Sequence, residues 1–264
     1  MVLILTLLTY TTAVASESAD PVRVHVERML AAQARWHQAK KTEPITWKDV
    51  TTSEDLDSDG KVTDRDVDVY QSVLILGRPY VRHVLHNGKP LTGKALKEAQ
   101  EAERAFTEKA RAGQVDEEKK IFSFDRTLME RFDFTLAGLA ERRGQPCTLL
   151  KFHPRKRSMP ELRPEERVLN SLQGELCVHP EEGGIVDLHA YLPEPMSVGF
   201  VLGRVSTVDV VYQQDRMPDG LWAPTFFRMR VNARALVKKY NQRVEVTWSE
   251  MMRAALTPPA TPPH

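Results

Sequence analysis

The sequence predicts a mainly β (α+β) protein, built as one large curved antiparallel sheet with an N-terminal helix and a mid-chain helix over its concave side. Three observations predict it. Alternation of apolar and polar residues with a period of two recurs from Ile45 to Trp248. Helical periodicity is concentrated in one stretch near the start and one in mid-chain, with a short helical turn around Glu165 to Leu172. The alternating stretches are separated by turn signals such as Asn87-Gly88, "PEEGG" and "MPDGLW".

The chain has 264 residues, which suits one sheet-based domain, taken as residues 16–251. Hydrophobic residues make up 41% and charged residues 28%, the balance of a soluble globular protein. A net charge of +1 provides no field to hold a phosphate backbone, so no nucleic-acid partner is expected.

Before the domain, Val2 to Leu8 is an apolar run followed by Ala13-Val14-Ala15, the small-x-small pattern of signal cleavage. Residues 1–15 therefore read as an export signal, although no Lys or Arg precedes the run; a buried strand is the other reading. The run is too short to cross a bilayer, so the mature chain is expected in the periplasm or otherwise exported, without a membrane span. Asp20-Pro21 then opens an amphipathic helix over 21–39, with Val22, Val26, Met29, Leu30 and Trp36 on one face and Gln33 interrupting the stripe.

"ITWKDV", "VDVYQSVLIL" and "YVRHVL" form a β-meander, closed by the Asn87-Gly88 turn. A charged, Ala-rich helix follows over Leu91 to Ala112, with Leu96, Ala99 and Phe106 as a thin apolar stripe and Gly113 at its end. Strands resume at "FDFTLAGLAE" and "CTLLKF" and continue through Leu188, then Phe227, Met229 and Val231, and finally Val244, Val246 and Trp248. The Pro-rich end, 252–264, is expected to be disordered.

Four local patterns carry chemistry. Cys147 and Cys177, the only cysteines, are either a disulfide closing a loop of ~30 residues or two separate thiols. "DLDSDGKVTDRD" places Asp55, Asp57, Asp59, Lys61, Thr63 and Asp66 at the offsets of a twelve-residue calcium loop, yet its strand-like flanks and Asp59-Gly60 favour a hairpin turn. His83 and His86, three apart on a strand, are expected on opposite faces, which disfavours a shared metal. Lys151 to Ser158 is a basic stretch that suits an acidic partner or a lipid headgroup, or is simply solvated. No hydrolase, zinc-protease, phosphate-loop or dinucleotide motif occurs, so a non-enzymatic protein without a cofactor is expected.

The runs "LILGRPYVRHVLHNGKPLTGKALKEAQEAERAFTEKA", "FDFTLAGLAERRGQPCTLLKFHPR", "LNSLQGELCVHPEEGGIVDLHAYL" and "DGLWAPTFFRMRV" resemble bacterial exported proteins related to the outer-membrane lipoprotein-sorting (LolA-like) carriers. The resemblance covers roughly residues 22–250 through Gly77 to Val84, Asn87 to Leu91, His179 to Gly183 and Asp219 to Pro224. It implies an unclosed β-barrel of about eleven strands that receives acyl chains or apolar peptide. The expected function is thus a periplasmic carrier or chaperone-like protein for a lipid, a lipoprotein acyl chain or another apolar ligand, exchanging with a membrane-bound donor or acceptor protein. Trp36, Leu188, Phe227, Met229 and Val246 are the candidate ligand-facing residues. The alternative is an exported protein-interaction module with a filled core, possibly calcium-stabilised.

Overall fold

The computed structural model describes residues 20–114, 124–155, 164–198, 203–235 and 238–253. The expected export signal, the tail from 254 onward and the Lys156–Ser158 part of the basic stretch lie outside the described residues.

The first helix, α1 (Pro21–Thr42), starts where Asp20 Oδ1 accepts the Val22 N–H at 3.0 Å, with proline in the first turn where no donor is needed. It runs three residues past its sequence-predicted end and buries Met29, Ala32, Gln33 and Trp36. Gln33, an apparent break in the apolar stripe, is inside because its amide has a partner on the sheet. Gln33 Nε2 donates to Gln214 Oε1 at 3.1 Å.

Strands β1 (Ile45–Leu56), β2 (Val62–Ile75), β3 (Arg78–His86) and β4 (Lys89–Pro90) form the expected meander. Asn87 and Gly88 join β3 to β4 with φ of 49° and 74°, the two positive angles that a type I′ hairpin demands. Helix α2 (Gly93–Arg111) follows and packs on β3 through Phe106 against Tyr80, ring centres 4.9 Å apart, and Glu103 against Arg82. Its contact is with this outlying strand, while α1 contacts β5 (Phe132–Arg142) and β11 (Trp222–Ala235).

The second half comprises α3 (Arg126–Met129), β5, β6 (Gln145–Pro154), α4 (Pro164–Leu169), β7 (Gln173–Val178), β8 (Ile185–Tyr191), β9 (Met196–Val198), β10 (Gly203–Arg216), β11 and β12 (Lys238–Arg253). Because β12 continues to Arg253, Met252 and Arg253 belong to the sheet, not to the tail. All twelve strands lie in one antiparallel sheet of order β4-β3-β2-β1-β12-β11-β10-β8-β7-β6-β5, with β9 paired to β10. The sheet does not close into a barrel: among the described residues β5 pairs with β6 alone, and β4 with β3 alone.

Alternation along the strands separates the two faces. The face under α1 carries the main core, including Met29, Phe132, Leu150, Phe152, Leu176, Leu188 and Val210. On the opposite face Cys147 and Cys177 are joined in a disulfide between β6 and β7, Cα atoms 5.4 Å apart, packed with Val186 and Trp222. The disulfide reading of the two cysteines is therefore the one the structure adopts.

Candidate functional site

At the β5 end of the α1 face, Leu150, Leu176 and Leu188 meet in register on β6, β7 and β8. Phe132, Phe134 and Phe152 stand beside them, with the Phe132 and Phe152 ring centres 5.2 Å apart. Phe124, Leu128 and Met129 from the α3 region and Leu169 and Leu172 from the α4 region close over this floor. Between floor and cover lies a cavity of about 30 Å³ lined wholly by apolar side chains. That is room for roughly two water molecules, and apolar cavities of this kind stay dry.

The cover is held by short segments. α3 has four residues and α4 six. Asp125 caps α3, its Oδ1 accepting the Leu128 N–H at 3.0 Å. Arg126 forms a two-pronged ion pair with Glu27 of α1, at 2.8 and 2.6 Å, and this holds the Glu27 carboxyl below its usual range. Arg131 donates to Asn170 Oδ1 at 2.6 Å and stands 3.9 Å from Glu166, tying the α3 side to the α4 side.

Four of the sequence-predicted ligand-facing residues fall on this face. Leu188 lines the cavity, and Phe227 and Met229 pack against its core. Register places Tyr212 beside Leu188, Phe227 beside Tyr212 and Val246 beside Phe227, so an apolar row continues from the cavity across β10, β11 and β12. Trp36 is elsewhere: it packs with Ile45 and Ala223, and Lys40 Nζ lies 5.7 Å from its ring centre. The phenylalanines of the cavity were not singled out in the sequence, although Phe132 and Phe134 at strand spacing and the capped "DRTLM" turn were signals that could have found them.

Further along the same face the row turns polar. Thr51 follows Val246, Asp68 follows Thr51 and His86 follows Asp68. Here the structure corrects the placement of the two histidines. A β-bulge between Val69 and Tyr70 inserts one extra residue in β3, so His83 pairs with Tyr70 and His86 with Asp68, on one face instead of two. His83 Nε2 and His86 Nδ1 lie 2.8 and 2.9 Å from the same oxygen, Asp68 Oδ1. That hydrogen bond raises the His86 pKa above its usual value, helped by the charges of Asp68 and Asp66. Asp49, nearly buried on this face, has its pKa raised by desolvation, while the Trp47 and Thr51 donors pull against the rise.

The six calcium-loop positions do not converge. Asp57 Oδ1 accepts the Asp59 and Lys61 N–H groups, each at 2.9 Å, which makes it the side-chain staple of the β1–β2 hairpin. Asp55 Oδ1 accepts from Gln242, Thr63 Oγ1 donates to the Asp55 carbonyl, and Asp66 Oδ1 accepts from Asn87. Among the described residues, no group of three or more His, Cys, Asp or Glu side chains is placed to hold a metal ion, and no helix is long and apolar enough to cross a membrane.

The fold thus defines an open antiparallel sheet with a helix across one face and an apolar cavity at one end. Similar solved structures include a DUF1329 family protein from Desulfovibrio piger, at 13% identity over 90% of this chain and 95% of that one, TM-score 0.33. A putative outer-membrane lipoprotein-sorting protein domain from Vibrio parahaemolyticus is similar at 9% identity over 87% and 94%, TM-score 0.37. A LolA superfamily protein from Nitrosomonas europaea is similar at 10% identity over 90% and 96%, TM-score 0.34. No family model matches the chain, and no curated protein matches it.

Proposed function

We propose that the protein is an exported, non-enzymatic carrier that takes an apolar chain, such as a lipid or a lipoprotein acyl chain, between the α1 face of its sheet and the α3–α4 cover. The observation that carries this reading is the wholly apolar cavity beneath two short helices. Its volume of about 30 Å³ is that of a closed state, since sites enclosing small ligands measure ~300–1,000 Å³. The cover must move to admit a ligand. The polar latch, the Arg126–Glu27 pair, is exposed and weak, and the apolar packing of Phe124, Leu128, Met129, Leu169 and Leu172 on the floor is what a ligand must replace. Each methylene buried returns ~0.8 kcal/mol, so an acyl chain long enough to take the place of those cover side chains on the floor offsets the opening. A membrane-bound protein would donate or accept the ligand at such an opening.

A second reading, an exported protein-interaction module with a filled core, is favoured by the small size of the same cavity. Native mass spectrometry of protein gently purified from a cell-envelope extract, followed by organic extraction and lipid analysis, separates the two. A stoichiometric lipid or acyl species supports the carrier. An unliganded mass that stays unchanged after incubation with lipids and a lipopeptide sinks it and leaves the interaction module.

A further inference from the structure

The α1 face of β12, β1 and β2 segregates charge in a way the cavity does not require. Register places Trp248, Val246, Val244 and Gln242 of β12 beside Asp49, Thr51, Ser53 and Asp55 of β1, and these beside Tyr70, Asp68, Asp66 and Asp64 of β2. Five of those positions are aspartates and none is Lys or Arg. The described partners of their carboxylates are the amides of Gln242 and Asn87, the Trp47 indole, the Thr51 hydroxyl, the Arg65 N–H and the His83 and His86 rings. Directly alongside, Phe227 and Met229 of β11 pair with Val246 and Val244 and, with Val231, form a half-buried apolar stripe that runs parallel to the acidic one and ends at the exposed Gln242 opposite Val231.

We infer that this face docks a basic amphipathic polypeptide helix, its apolar edge on the β11–β12 stripe and its Lys or Arg edge on the β1–β2 aspartates. The dimensions fit. From Asp64, beside Asp55, to Asp68 the acidic stripe is ~14 Å long at strand rise, between two and three turns of a helix, with the buried Asp49 beyond it. The two stripes run side by side with centres ~10 Å apart, two strand spacings, which is the width of one helix with its side chains. Apolar area supplies attraction, and the accessible Asp55, Asp64 and Asp66 carboxylates, with no Lys or Arg among the paired positions, select the sign of the partner. Among the described elements, the principal sheet contacts of α1 and α4 fall on β5, β11 and β9, α1 reaches β1 and β12 at their Ile45–Met251 end through Trp36, and α2 packs through Tyr80 and Arg82 on the other face of β3, so the Asp55–Asp64 end of this face carries no such helix contact.

The inference does not depend on what the cavity holds: an extract without lipid leaves it standing, and its failure leaves the carrier reading standing. The test uses a fluorescently labelled synthetic Leu/Lys amphipathic helix of about 14 residues, with a Leu/Glu helix of the same pattern as comparison, and follows binding by anisotropy. Expected is micromolar binding of the Lys peptide alone, weakened tenfold or more in Asp64→Asn/Asp66→Asn protein and weakened again by salt. Glu175→Gln/Glu245→Gln protein, altered on the opposite face, should bind as the parent does, and circular dichroism should show both variants folded. No binding, equal binding of the two peptides, or unchanged binding by the Asp64→Asn/Asp66→Asn protein would overturn the inference. So would a self-dimer that dissolves in that variant, since the face would then belong to a second copy.

Discussion

Gln33 of α1 and Gln214 of β10 form a reciprocal amide pair in the interior, each side chain donating to the other, at 3.1 and 3.3 Å. Gln214 also accepts the Ile185 N–H at 2.9 Å and donates to the Tyr212 hydroxyl, so one amide joins the helix, the first residue of β8 and the cavity-side row of β10. Burial raises the Tyr212 hydroxyl pKa well above its ordinary value, and the Gln214 hydrogen bond only partly opposes this.

Gln214→Leu should therefore cost about 2–4 kcal/mol, because it strands the Gln33 amide and the Ile185 N–H away from water. Gln33→Leu/Gln214→Leu should cost less than the sum of the single changes. Urea unfolding of the four proteins checks this, and strict additivity would show that the pair is not coupled.

Removing the disulfide with Cys147→Ala/Cys177→Ala should destabilise by about 3.6 kcal/mol, the loop-closure value for a crosslink of this span. The sequence separation is 30 residues. Differential scanning calorimetry with and without reductant reads it; the cysteine-free protein should be insensitive to reductant, whereas the parent should lose several degrees.

Arg126→Ala should leave the urea midpoint nearly unchanged, since its ion pair is exposed and solvent-screened. Under the carrier reading it should nevertheless speed uptake of a fluorescent fatty acid in stopped-flow mixing. An unchanged uptake rate would remove Arg126 from any latch.

Burial raises the Asp49 carboxyl pKa, so its charged form is disfavoured on folding, and the stability associated with the neutral form is lost as pH rises through the folded-state value. Asp49→Asn should match the parent at acid pH and exceed it at neutral pH in thermal melts. His86 carries the opposite charge change. Its hydrogen bond to Asp68 raises the folded pKa, so any stabilisation is complete below the usual imidazole value and fades as pH rises through the raised one. An NMR titration should place the His86 midpoint above 6.5, with Asp68→Asn bringing it back down.

Periodicity alone made the sheet, both long helices and the Asn87-Gly88 hairpin legible, because each depends on neighbours within a few residues. What escaped was nonlocal. Gln33 looked like a flaw because its partner, Gln214, lies 181 residues away. His83 and His86 were assigned to opposite faces because a bulge adds a residue without leaving a mark in the alternation. The aspartates from Asp55 to Asp66 matched a calcium loop in spacing, but extended backbone spreads them along two strands and a turn that a helix-flanked loop would have folded around one point. Leu188, Phe227, Met229 and Val246 were found because inward-facing strand positions share a face; whether they touch a ligand is a question of cover and opening, which alternation does not encode.

The pairing of β1 with β12 joins strands from opposite ends of the described chain, Ile45 opposite Arg253. During synthesis the meander is made first, but its inner border has no neighbour until almost the last strand has emerged. A chain stopped short of β12 would leave β1 and β11 both with bare backbone donors and acceptors, two templates for pairing with other chains. Such contact order slows folding. C-terminal truncation at residue 237 should therefore produce aggregation of the whole protein rather than a soluble fragment missing one strand.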